Sequence, residues 1–135
     1  MPKTIEVGQL LPSQRYAPGT VQLFLYNAAI WNPHRIHYDL AYARECEDHP
    51  ALLVDGPLQG DWLTQQVYEW MEEDDELLAF EYSNRRPAYV GDVLEARGKV
   101  EGIEHNLILL SLEIINQHGQ VTTLGRATVR RPQAD

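Results

Sequence analysis

Two short stretches of this chain hold the residue types that chemistry needs. The first, Trp31-Asn32-Pro33-His34-Arg35-Ile36-His37-Tyr38-Asp39, gathers an amide, two imidazoles, a guanidinium and a carboxylate. The second is Val54-Asp55-Gly56-Pro57-Leu58. An imidazole, with an unperturbed pKa of about 6.5, exists in both protonation states near neutral pH and can pass a proton either way. A glycine directly before a proline suits the first turn of a helix, where the missing proline N–H would have no intrahelical partner. Such a helix start offers free backbone N–H groups to an oxygen bearing negative charge. Proton transfer beside a stabilised oxyanion is the chemistry these residues suit.

Other readings of the same residues are weaker. His34, His37 and Asp39 would make three metal ligands, but no fourth Cys or His lies at a familiar offset, and Pro33 breaks the backbone that would give the spacing meaning. No metal is expected. Arg35 either binds a phosphate or pairs with Glu45 or Asp39. Asp39 suits the N-cap of a short helix, Leu40 to about Cys46.

The elements that must position these groups follow from periodicity. After a short extended piece at Gln14-Arg15-Tyr16, Thr20 makes an N-cap, and Val21, Phe24, Leu25 and Ala28 recur at helical spacing, which predicts a buried stripe. Pro33 forces the chain to turn, because the residue before a proline is biased out of the helical region. His49-Pro50 closes the second helix, and Ala51-Leu52-Leu53-Val54 is a short apolar run, either a buried strand or a tight approach to the next helix. Pro57 to Met71 predicts the one long helix, with Leu58, Trp62, Leu63, Val67, Trp70 and Met71 on a broad apolar face that asks to be wrapped, and Tyr68 with the core. Gly60 would admit a neighbouring strand or a bound thioester arm. The carboxylate run Glu72 to Glu76 opposes the helix dipole and predicts a solvated turn. Strands are expected at Leu77–Tyr82, Val93–Val100, Leu107–Ile115 and Val121–Arg130, with His105 and the Gln117-His118-Gly119 turn in exposed hairpin loops.

At 135 residues one domain spanning 1–135 is expected, large enough to bury roughly two-thirds of its unfolded surface. A formal charge of −9 argues against a duplex-binding surface, since the phosphate backbone dominates such affinity. Arg85-Arg86, Arg97 and Arg126-Arg130-Arg131 read as solvated strand edges. The single cysteine, Cys46, reads as a small half-buried residue and fits a reducing, cytoplasmic setting. The start at Met1-Pro2-Lys3-Thr4 lacks a secretory pattern, and no long apolar run suggests a membrane span.

The two opening stretches, in this order, resemble the MaoC-like acyl dehydratase and hydratase family, especially its N-G-H-R-I-H-Y-D and V-x-G-P-L branch. Arg86-Pro87-Ala88-Tyr89-Val90-Gly91-Asp92 and Asn116-Gln117-His118-Gly119 continue the resemblance, which covers roughly residues 20–131. It implies an α+β hot-dog fold: a long central helix wrapped by a curled antiparallel sheet. It also implies a homodimer or higher oligomer, or a hetero-oligomer with another hot-dog chain, with the site near the subunit boundary. The activity implied is addition or removal of water at the 2,3-position of an acyl thioester of coenzyme A or, with less support from the acidic charge, of acyl carrier protein. No cofactor is expected, coenzyme A entering only as part of the substrate.

In that reading His37 is the acid/base, Asn32 orients water or the 3-hydroxyl, and the Gly56 N–H is the enolate donor, a side chain there obstructing the carbonyl. Asp55, His34 and Arg35 assist in binding or catalysis. Two departures stand out. Asn32 stands where many members carry an Asp that can draw a proton from water, and a neutral amide can only hold the water. Asp55 stands where many members have a His. A non-catalytic partner subunit, and a hot-dog thioesterase that would need Asp61 as its carboxylate, remain as alternatives.

Overall fold

The computed structural model describes residues 4–133; the Met1–Lys3 start read above lies outside them. Five strands form one antiparallel sheet in the order β1-β3-β4-β5-β2: β1 Gln14–Tyr16, β2 Glu76–Asn84, β3 Leu94–Glu104, β4 Leu107–Ile115 and β5 Val121–Arg130. The helices are α1 Thr20–Ala29, α2 Leu40–Cys46 and α3 Gly56–Trp70, with a 3-10 turn at Arg35–His37 between α1 and α2. Helix α3 packs against β2, β3, β4 and β5, which is the wrapped-helix arrangement expected. Among the described residues no helix is long and apolar enough to cross a membrane.

The alternation in β4 explains the core. Ile108, Leu110, Leu112 and Ile114 are buried while Leu109 is exposed, so one face of the strand meets the helix and the other does not. From α3 the residues Leu58, Trp62, Leu63 and Val67 fill that space, each stabilising the fold by roughly 1.5–3 kcal/mol through burial. Trp62 also stacks on Tyr16 with ring centroids 4.3 Å apart. Two glutamines on the buried face were not anticipated. Gln59 accepts from the Thr122 and Thr123 hydroxyls at 2.7 and 2.9 Å, and Gln66 donates to the Pro12 and Ala96 carbonyls. These bonds fix how the helix slides over β5 and β3, because a buried polar group left unpaired is costly. A Cβ on Gly60 would meet the Tyr82 ring at 2.8 Å, so this glycine admits strand β2 and not a thioester arm.

Several expectations about exposure are corrected. The stripe on α1 is inverted: Val21, Phe24 and Leu25 are 70, 61 and 60% exposed, whereas Leu23 and Asn27 are buried. Helical spacing places apolar residues on one face but does not say that the same chain covers it. Thr20 is the first residue of α1, not its cap, and the N-cap is Gly19 without a side-chain bond. Cys46 and Tyr68 are exposed, lying on the sides of α2 and α3 that no other element covers.

The acidic turn is not wholly solvated. The Asp75 side chain is 1% exposed and grips Arg131, whose Nε donates at 2.8 Å. Burial would raise this carboxyl, but the Arg131 bond and the Glu72 N–H hold it below its usual value. A lowered folded pKa means stability that is present above the ordinary carboxylate range and lost as pH falls through the folded value. Replacing Arg131 by Ala is therefore expected to cost about 2 kcal/mol near pH 7. The difference should shrink as denaturation is repeated toward pH 3.

Candidate active site

The 3-10 turn and the segment before α3 are pinned to each other. The Leu53 N–H donates to the Ile36 carbonyl at 3.1 Å, and Leu53 bridges to Tyr89, with Val54 N bonded to Ala88 O and Val90 N to Leu52 O. The apolar run at residues 51–54 thus becomes a short ladder beside the Arg86–Asp92 segment. Its backbone fixes the ring of His37: Nδ1 lies 2.9 Å from the Leu53 carbonyl oxygen. A carbonyl can only accept, so Nδ1 carries the hydrogen.

The other ring nitrogen, Nε2, faces Asp55 Oδ2 at 3.4 Å. Asp55 is the N-cap of α3, yet its side chain makes no cap bond and has no exposure at all. Asn27, on α1, holds its second oxygen: Asn27 Nδ2 donates to Asp55 Oδ1 at 2.9 Å and to the Leu23 carbonyl at 2.7 Å. The site is a linear arrangement of Asn27, Asp55 and His37 at the mouth of α3. Next to it, the Gly56 N–H has no hydrogen-bond acceptor among the described residues. A Cβ on Gly56 would lie 2.2 Å from Asn84 Oδ1, so any side chain there has to displace the end of Asn84.

The remaining candidates are placed as follows. Asn32 is half-buried and its Oδ1 accepts from the His34 N–H at 3.1 Å, closing a turn. His34 caps the 3-10 turn through Nδ1 to the Ile36 N–H, with its ring 6.0 Å from that of His37. Arg35 pairs with Asp39 at 2.8 Å and lies 4.4 Å over the Tyr42 ring, while Asp39 caps α2 through the Tyr42 N–H. The Arg35 guanidinium holds the Asp39 carboxyl below its usual range. Asp55, expected to assist in binding or catalysis, is wholly buried with Oδ2 turned toward the histidine ring. Asn27 was missed; its only signal was a polar residue one helical turn from Leu23. Asp61 accepts from the Tyr26 hydroxyl at 3.1 Å. Burial, then that bond, pushes Tyr26 above its ordinary pKa. No group of three or more His, Cys, Asp or Glu among the described residues is arranged to hold a metal.

An open groove of about 350 Å³ runs beside this network, lined by Phe24, Asn27, Ala28, Trp31, Asn32, Pro33 and Tyr38. It is apolar apart from the two amides, which suits a hydrocarbon chain with a polar end.

A model of the family described as hydroxyacyl-thioester dehydratase type 2 matches residues 4–90. The chain belongs to that family. Among curated relatives of this dehydratase family member, the mitochondrial hydroxyacyl-thioester dehydratase type 2 of Schizosaccharomyces pombe is 29% identical over 99 residues, 70% of this chain and 32% of that protein. Mesaconyl-C(4)-CoA hydratase of Chloroflexus aurantiacus is 53% identical over 36 residues, 27% of this chain and 13% of that protein. The dehydratase-family chain thus spans about a third or less of the curated relatives it matches. In fold it is similar to the (R)-hydratase from A. caviae, with a TM-score of 0.84 at 22% identity, covering 97% of this chain and 100% of that one. It is equally similar to a chain of the ChsH1-ChsH2 complex from Mycobacterium tuberculosis, with a TM-score of 0.85 at 16% identity, covering 96% and 100%. The hot-dog fold expected from sequence is therefore the fold of this chain.

Proposed function

We propose that this chain is a hydro-lyase that adds or removes water at the 2,3-position of an acyl thioester, with coenzyme A as the carrier and no cofactor. The observation that carries the reading is the His37 ring, held by the Leu53 carbonyl beside the residue that precedes the Gly56 N–H. Hydration needs a group that moves a proton at Cα, a group that handles water at Cβ, and a donor for the enolate oxygen. His37 takes the first role. The Gly56 N–H, at the positive end of α3, takes the third. Asn32, on the rim of the groove, orients the water, and the groove between Phe24, Trp31 and Tyr38 receives the acyl chain.

The setting is a homodimer or a pairing with another hot-dog chain. The apolar face of α1 is exposed and Trp31 is 90% exposed, and a contiguous apolar patch marks an interaction surface. The exposed, unpaired Cys46 fits a reducing, cytoplasmic compartment.

The test is an absorbance assay of purified protein with crotonyl-CoA and longer enoyl-CoA thioesters, run beside a free-thiol assay. Loss of enoyl absorbance without thiol release is expected. Thiol release would instead make the chain a thioesterase, and silence in both would favour a subunit that completes another chain's site. Replacing Asn32 by Asp is expected to change the pH dependence of the rate, because a carboxylate can take a proton from the water that the amide only holds. An identical profile would remove residue 32 from the water site.

A further inference from the structure

His37 has acceptors on both sides of its ring. Nδ1 must donate to the Leu53 carbonyl. If Nε2 were bare, its lone pair would face Asp55 Oδ2, which is buried and has no other partner among the described residues. Two lone pairs pointed at each other between a wholly buried carboxylate and a ring that is 8% exposed repel, so one proton must lie between them. Asn27 decides where. Its amide nitrogen must face the Leu23 carbonyl, and the second N–H then binds Asp55 Oδ1, which leaves Oδ2 to face Nε2. Asp55 Oδ1 accepts from the Asn27 amide at the start of a fifteen-residue helix, and the opposite edge of the His37 ring donates to a carbonyl.

We infer that Asp55 is the carboxylate of this active site, a positioning residue that keeps a proton on His37 Nε2 as half of a buried imidazolium–carboxylate pair. The inference rests on the hydro-lyase reading for its catalytic meaning. At 3.4 Å the Nε2–H is not closed into a tight bond with Asp55. In hydration, Nε2–H delivers its proton to Cα of the enolate. Water adding to Cβ forms that enolate and leaves both of its protons on the new oxygen, and the Nε2 lone pair takes one of them, which gives the neutral 3-hydroxyl and returns the pair to its starting charge. In dehydration Nε2–H protonates the 3-hydroxyl, Nε2 then removes the Cα hydrogen to give the enolate, and the enolate expels water from Cβ, which leaves the double bond and the protonated ring. Asp55 gains and loses no proton; it stabilises the imidazolium, and so takes over from position 32 the charge that an amide there cannot supply.

The other ionisable groups around the pair are few. Tyr26 on α1 stays protonated, held by burial and by Asp61 on α3. Tyr82 on β2 lies beyond Tyr26, and the His34 ring stands 6.0 Å from His37. Behind Leu53, His49 Nδ1 meets the Tyr89 hydroxyl at 3.1 Å.

Two measurements on the full chain test this. In protein labelled with 15N at histidine, with His37 assigned by its loss in His37→Gln, both ring nitrogens of His37 should be protonated at pH 7. In Asp55→Asn, an isosteric change that keeps a good N-cap residue, Nε2 should become bare while Nδ1 stays protonated. On enoyl-CoA, Asp55→Asn should lower kcat by ~10²-fold, leave KM within about threefold and displace the acidic limb of the pH profile, with partial recovery in Asp55→Glu. A bare Nε2 in the unaltered protein overturns the inference whether or not any thioester is turned over. An Asp55→Asn enzyme with unchanged rate and profile overturns it too, while a dead His37→Gln in the same assay leaves the hydro-lyase reading standing.

Discussion

His37→Ala is expected to abolish turnover of enoyl-CoA, with kcat/KM falling by at least ~10³-fold, at the upper part of the range for loss of a general acid/base. Neither His34 nor Asp55 is placed to take the task over. His34 spends its Nδ1 on the Ile36 N–H, and Asp55 has no exposed surface. The variant also leaves the Asp55 carboxylate buried without its imidazole, a loss of about 1–3 kcal/mol, so its thermal midpoint should fall as well. His37→Gln separates the two effects, because the amide donates to Asp55 or Leu53 but does not carry a proton near neutral pH. It should keep most of the lost stability and recover none of the rate. Rates within tenfold of the unaltered protein in a folded His37→Gln would take the imidazole out of the chemistry.

Gly56→Ala should have the next largest effect, lowering kcat by roughly 10²–10³-fold, as removal of one oxyanion donor does. The new methyl would stand 2.2 Å from Asn84 Oδ1. That oxygen is the end of an exposed side chain, so Asn84 can swing aside at the cost of its 2.9 Å bond to the Thr123 hydroxyl. The fold should survive with a modest drop in melting temperature. Whether the methyl harms the rate by pushing Asn84 or by crowding the thioester oxygen is settled by adding Asn84→Ala. If the Gly56 N–H binds the enolate, the double variant stays slow. Full recovery would mean that this glycine serves only the contact with β2.

Much of the architecture was legible because it depends on local periodicity. Strands β4 and β5 lie where alternation and the Gly119 hairpin placed them, and α3 begins one residue before the expected Pro57. The α1 stripe failed for the same reason that α3 succeeded. Period alone reports that Val21, Phe24 and Leu25 share a face, and an uncovered face has the same period as a covered one. The buried side of α1 is marked by Leu23 and by Asn27, a polar residue that hydropathy counts against burial. Asp75 was hidden likewise among four other carboxylates, since its burial depends on Arg131 at the far end of β5.

By itself the sequence determined the fold family, the long wrapped helix, and the two stretches from which any site had to be built. These rest on patterns within a few residues of one another, and on a glycine–proline pair whose backbone preference needs no neighbours. Only the tertiary structure decided which carboxylate meets His37. Asp39 is nearer in the chain, but it is taken up by Arg35 and the Tyr42 N–H. Asp55 comes from a distant helix start that the Leu53 ladder presses against the ring. Direction across a fold is set by packing, and no spacing rule carries it.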